Sequence, residues 1–227
     1  MTTQSELLLV VRDRLDEASE HQWLDEEIRR LINEGAKDIA RKTESLLDRD
    51  DITAVAGTQE YTMSTDTIRV NRVEWRPGTD DQVYPLEYRD FNNADGVWWT
   101  GQIQTEGTPV IYTMWGFPPS LKLIVYPTPS VAGVFKVYYY RLPVELAVDG
   151  TASGTTVEIP EGWDDVIADY AEFRALRKDR DPEWQNAKAI YDEHVMDLNA
   201  TSRRWTDQAG MIVAGTSFVP AWLYAGE

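Results

Sequence analysis

The spacing of apolar residues changes twice along this chain, and that change limits what it can fold into. Near the N-terminus and again after residue 157, apolar positions recur every three or four residues, the period of a helix. From Asp50 to about Arg141 they alternate, the period of a strand, as in Leu121-Lys122-Leu123 and Phe135-Lys136-Val137. Blocks of helix, strand and helix, instead of a strict alternation, predict an α+β protein. The expected architecture is an α-helical bundle built from both chain ends, an inserted antiparallel β domain, and an extended C-terminal tail. The expected boundaries are 1–49 for the N-terminal helices, 50–156 for the β insertion, 157–205 for the C-terminal helices and 206–227 for the tail.

Both helical arms open alike, with a tryptophan, a knot of acids, and then apolar residues. The first start is Trp23-Leu24-Asp25-Glu26-Glu27-Ile28, and the second is Ile159-Pro160-Glu161-Gly162-Trp163-Asp164-Asp165-Val166-Ile167. Acids in a first turn favour the positive end of the helix dipole. Trp23, Ile28, Trp163, Ile167 and Tyr170 are therefore the candidate helix-packing residues. A short helix from about Ser5 to Glu17, capped by Ser5, precedes the first start. The second helix is expected from Leu24 to about Leu47, with Leu46 at the end of its stripe. Gly35 inside it costs roughly 1 kcal/mol against Ala, which predicts that another backbone comes close there. A third helix follows Pro160, and Asp181-Pro182 starts a fourth that runs to about Arg204. In the middle, Ile52–Ala56, Glu60–Met63, Ile68–Arg76, Val83–Tyr88, Val110–Trp115, Leu121–Tyr126 and Val134–Tyr140 read as short strands broken by turn residues.

The formal net charge of −17 argues against a protein that grips nucleic acid by its phosphates or sits on an anionic membrane. It is compatible with DNA passing close by, because an acidic wall repels phosphate. There is no cysteine, so disulfide and thiolate chemistry are absent. The N-terminus carries no export-type segment and no apolar run long enough to span a bilayer, so a soluble protein made without export is expected.

No catalytic, cofactor or metal motif stands out. His21 and His194 are far apart, and Glu193 and Asp197 beside the latter read as helix surface. Neither a Gly-x-Ser-x-Gly elbow nor a phosphate-binding Gly-rich loop occurs. Paired carboxylates are abundant, as any chain with 39 acids must make them, and a hydrolase using them is the least supported reading. The tryptophans offer more. Trp115 sits in the strand alternation and is expected to be buried, whereas Trp98 and Trp99 fall in a loop. Together they support an alternative function, a carbohydrate-binding module in the β region. The final segment, Gly210 to Glu227, is apolar, bears one charge and lacks helical spacing, so it is expected to dock on another subunit or protein.

The two helix starts, with Ile32-Asn33-Glu34-Gly35-Ala36 after the first and Tyr170-Ala171-Glu172-Phe173-Arg174-Ala175-Leu176-Arg177-Lys178-Asp179 after the second, resemble those of tailed-bacteriophage head-to-tail adaptors. These are the connector or tail tubular proteins of short-tailed phages. The resemblance implies a structural, non-enzymatic virion protein of the neck, made in the host cytoplasm. It implies a homo-oligomeric ring, a dodecamer, that is stacked on the portal protein, contacts a downstream tail or nozzle protein, and lets DNA pass without sequence-specific binding. Adaptors of this kind reach the portal with extended termini. The resemblance thus makes Met211, Ile212, Phe218, Trp222, Leu223 and Tyr224 candidate portal-docking residues.

Overall fold

The computed structural model describes residues 2–17, 22–78, 82–91, 105–152, 154–160 and 162–214, the stretch 203–214 as helix backbone. The chain divides into two units, Met1–Thr43 with Leu146–Glu227, and Glu44–Glu145. The described residues are α+β, with four helices and mostly antiparallel strands.

The first unit holds α1 (Gln4–Arg14), α2 (Asp25–Thr43), α3 (Asp164–Asp179) and α4 (Trp184–Ala214). Thr3, not Ser5, caps α1. Its hydroxyl accepts from the Glu6 N–H at 3.2 Å, and the Glu6 carboxylate accepts from the Thr3 N–H at 2.8 Å. This reciprocal box satisfies two donors at once, which a serine two residues later cannot do. Helix α2 stops at Thr43, four residues before the expected end near Leu47, because Glu44 adopts a left-handed φ of 48°. Leu46 and Leu47 leave the helix, and Leu47 opens a strand. At the other end α4 continues to Ala214, ten residues past the expected stop at Arg204, so Met211 and Ile212 lie in helix and not in an extended tail. Residues 215–227 lie outside the described residues.

One apolar cluster is shared by all four helices, with Leu7, Leu8, Val11, Ile28, Ile32, Ile39, Ile167, Phe173, Tyr191 and Val195 among its buried members. Gly35 explains itself here. A Cβ at this position would sit 3.1–3.2 Å from three atoms of the Tyr170 side chain, so α2 and α3 cross closely with the ring lying over bare backbone. The segment after the β region belongs to this unit as well. Asn33 donates to the Leu146 carbonyl at 2.7 Å and accepts from its N–H at 3.2 Å, pinning the returning chain to α2. The compact β unit accordingly ends at Glu145, earlier than the expected 156.

The second unit is built from β1 (Leu47–Ala54), β2 (Glu60–Thr62), β3 (Thr67–Pro77), β4 (Tyr84–Pro85), β5 (Glu87–Tyr88), β6 (Glu106–Gly107), β7 (Ile111–Trp115), β8 (Lys122–Tyr126), β9 (Thr128–Pro129) and β10 (Gly133–Arg141). They form sheets of order β1-β10-β3-β4 and β2-β8-β7-β5, with a small β6-β9 pair. Pairing is antiparallel except for β5 with β7 and β6 with β9. Inward residues of both larger sheets meet in one core that includes Tyr61, Val73, Trp75, Leu123, Val125, Phe135 and Val137. Alternation produces this directly, since every second residue of β10 faces inward.

Candidate functional site

The helix-packing candidates fall in the first unit. Ile28 and Ile167 are fully buried, Trp23 and Tyr170 nearly so, and Trp163 packs partly buried against the same cluster. Trp163 precedes α3 and carries no side-chain capping bond; the acids Asp164 and Asp165 occupy the first turn instead. Lys178 ties α3 back to the start of α2. Its ammonium lies 4.8 Å from the centroid of the Trp23 ring and 2.6 Å from the Glu27 carboxylate. A second tie joins Arg174 to Glu34 at 3.1 Å.

The polar groups that hold α1, α3 and α4 together were not apparent in the sequence. Asp169 is 5% exposed. One of its carboxylate oxygens accepts from Arg14, and the other lies 2.6 Å from Nδ1 of His194. Glu172 is 3.7 Å from the same guanidinium and Asp165 is 3.5 Å away. Burial holds the Glu172 carboxyl above the usual carboxylate range, against the pull of Arg14 in the other direction. His194 is therefore a clasp on a buried carboxylate. The one signal in the sequence is an acid within the apolar run Val166-Ile167-Ala168-Asp169-Tyr170-Ala171. Across α2 and α4, the Tyr191 hydroxyl donates to Asp38, which also holds Lys42 at 2.7 Å. Burial first, and the hydrogen bond to Asp38 second, push this phenol well above its ordinary range. Among the described residues no cluster of His, Asp and Glu is arranged to hold a metal ion. Nor is any described helix long and apolar enough to cross a membrane.

Of the portal-docking candidates, Met211 and Ile212 fall within α4, and Phe218, Trp222, Leu223 and Tyr224 lie outside the described residues. Trp98 and Trp99 lie outside them too. Trp115 departs from expectation, being 53% exposed. It is the last residue of β7, where the strand runs out into the Gly116 turn, and its ring meets Phe91 at a tilt of 40° with centroids 4.4 Å apart. Strand alternation predicts burial only while a second sheet lies opposite.

Near Trp115 the β unit opens a cleft of about 450 Å³ lined by Ile68, Val70, Met114, Leu121 and Phe117, with Arg69 and Asn71 on one wall. Arg69 is already engaged, its Nε donating to Glu44 at 2.8 Å. Phe117 is 86% exposed at the lip. The described lining is mainly apolar, with Arg69 its one charged side chain among those residues.

No curated protein matches the chain. A family model does, and it spans residues from both units, 2–213. The chain belongs to the SU10 adaptor protein family, a family of phage head-to-tail adaptors.

Proposed function

We propose that this chain is a structural component of the phage neck. Twelve copies form a ring that joins the portal to the tail and lines the channel through which DNA leaves. The observation that carries this reading is the family match over 2–213, which takes in both the helical and the β unit. The helical unit packs against neighbouring copies and the portal, and the segment from Met211 to Tyr224 docks on the portal. The β unit faces the tail-side protein. The net charge of −17 suits a conduit, because carboxylates around a channel keep DNA phosphates from adhering. Abundant aromatic residues suit permanent contacts that do without disulfides.

Electron microscopy of the purified chain mixed with its portal protein tests this. The expected result is one ring stacked on another, and removal of residues 210–227 weakens the complex while the chain stays folded. A chain that remains a single copy at all concentrations, with and without portal, overturns the ring. Undiminished portal binding after the deletion removes the terminal segment from the account.

A further inference from the structure

The cleft of the β unit lies at a break in strand pairing. Strand β3 is 11 residues long, Thr67–Pro77, and on its outer side β4 pairs with it only at Glu74 and Trp75. One further bond follows, from the Leu86 N–H to the Val73 carbonyl at 2.9 Å. The chain then turns away, and β5 joins the other sheet by pairing with Ile111 and Tyr112 of β7. Among the described residues, the β3 stretch 68–71 is left without a strand on that side, and it forms one wall of the cleft. On its inner side the same stretch carries an irregularity, since the register with β10 shifts between Tyr138 and Tyr139. Bulged, unpaired edges of this kind offer backbone donors and acceptors to an incoming chain.

Backbone edge and cleft floor select the same kind of visitor. The edge takes an extended segment, whose main chain completes the ladder. The floor of Ile68, Val70, Met114 and Leu121 takes apolar side chains at alternate positions of that segment. The charged group on the wall among the described residues, Arg69, is already bound to Glu44, so it is not left open to favour an anionic ligand. The chain's net charge of −17 further disfavours an acidic segment. Phe117, 86% exposed on a turn closed by the Ser120 N–H to its carbonyl at 2.8 Å, stands at the lip as an anchor.

We infer that the cleft beside β3 accepts an extended, apolar, non-acidic segment of the tail-side protein as an added strand. This rests on the proposed function, which turns the β unit toward that protein. Hydrogen–deuterium exchange on the full chain tests it in three states: the free chain, the ring of this chain alone, and the ring with the tail-side protein bound. The expected result is slowing of at least about tenfold in the amides of residues 68–71 in the third state only. Slowing already present in the ring alone means that a second copy fills the cleft, and overturns the assignment. Unchanged exchange in all three states overturns strand addition. Phe117→Asp, at a side chain too exposed to matter for folding, is expected to weaken tail-protein binding at least about tenfold and to leave the ring intact. Undiminished binding by this variant also overturns the inference. Micrographs of the same samples report ring formation separately, so loss of the ring and loss of the strand contact are distinguishable.

Discussion

Replacement of Gly133 by alanine is the sharpest test of the packing in the β unit. Gly133 opens β10 opposite Pro77 of β3. A Cβ built there would lie 2.4 Å from the Arg76 carbonyl oxygen, 2.4 Å from Cη2 of Trp75 and 2.9 Å from its Cζ3. Carbon atoms in contact sit about 3.5–4.0 Å apart, so the methyl group would intrude on the ring by roughly 1–1.5 Å. Neither neighbour can yield easily. The carbonyl belongs to the β3 backbone, and Trp75, 1% exposed, lies against Phe135 with ring centroids 4.7 Å apart. Phe135 in turn meets Tyr61 at 5.0 Å. Overpacking of this kind costs about 1–3 kcal/mol and at times more, and two fixed neighbours place Gly133→Ala at the upper end, about 3 kcal/mol. Glycine is itself a poor strand residue, so alanine returns roughly 0.5–1 kcal/mol, leaving a net loss of about 2–2.5 kcal/mol. Two controls set the scale. Gly154→Ala, with nothing within 4 Å, is expected to stay within about 0.5 kcal/mol of the parent. Gly35→Ala meets Tyr170 at 3.1–3.2 Å but gains about 1 kcal/mol of helix propensity, so its net loss is at most about 1–2 kcal/mol. Urea unfolding followed by circular dichroism and tryptophan fluorescence measures all three. If Gly133→Ala loses less than about 1 kcal/mol, or less than Gly35→Ala, the description of how β10 meets β3 is wrong.

Two predictions concern the polar ties of the helical unit. Asp169→Ala leaves Arg14 and His194 without the buried carboxylate they share. Breaking a buried pair costs about 3–5 kcal/mol, and the lower value is expected because Arg14 keeps Glu172 and is partly exposed. A double-mutant cycle with His194→Ala should return a coupling well above zero; strict additivity would show that the clasp does not form. Tyr191 carries the alkaline prediction. Its folded-state phenol is raised above the unfolded value of about 10, so its contribution is complete below that pH and is lost as pH rises further. The parent should therefore lose up to about 1.4 kcal/mol more than Tyr191→Phe between pH 10 and pH 11, measured by denaturant midpoints. Parallel curves for the two proteins would contradict the buried bond to Asp38.

Much of the secondary structure follows from the sequence because it rests on local geometry. A helix repeats every 3.6 residues and a strand every two, so Ile28, Ile32 and Ile39, or Phe135 and Val137, reveal their element without any knowledge of what they touch. The acids after Trp23 and Trp163 mark helix starts for an equally local reason, the dipole of a single turn. Gly35 signals a close approach, but the expected backbone is in fact the Tyr170 side chain, because a missing Cβ leaves room for either. Helix ends were less legible. Thr3 and Ser5 are both good caps by composition, and only the reach of Glu6 back to Thr3 chose between them. The length of α4 is not legible because the segment from Gly210 lacks helical spacing, yet the helix runs on to Ala214. What the tertiary structure alone decided is which distant groups meet. Asp169 lies 155 positions from Arg14, and Tyr191 lies 153 from Asp38. Trp115 was expected inside and is half outside, since a strand residue is buried only where another layer covers it. That no strand among the described residues covers the 68–71 stretch of β3 on its outer side is likewise a property of which strands pair. Periodicity reports the backbone's own repeat; contacts between far parts of the chain depend on how those repeats pack, which no local pattern encodes.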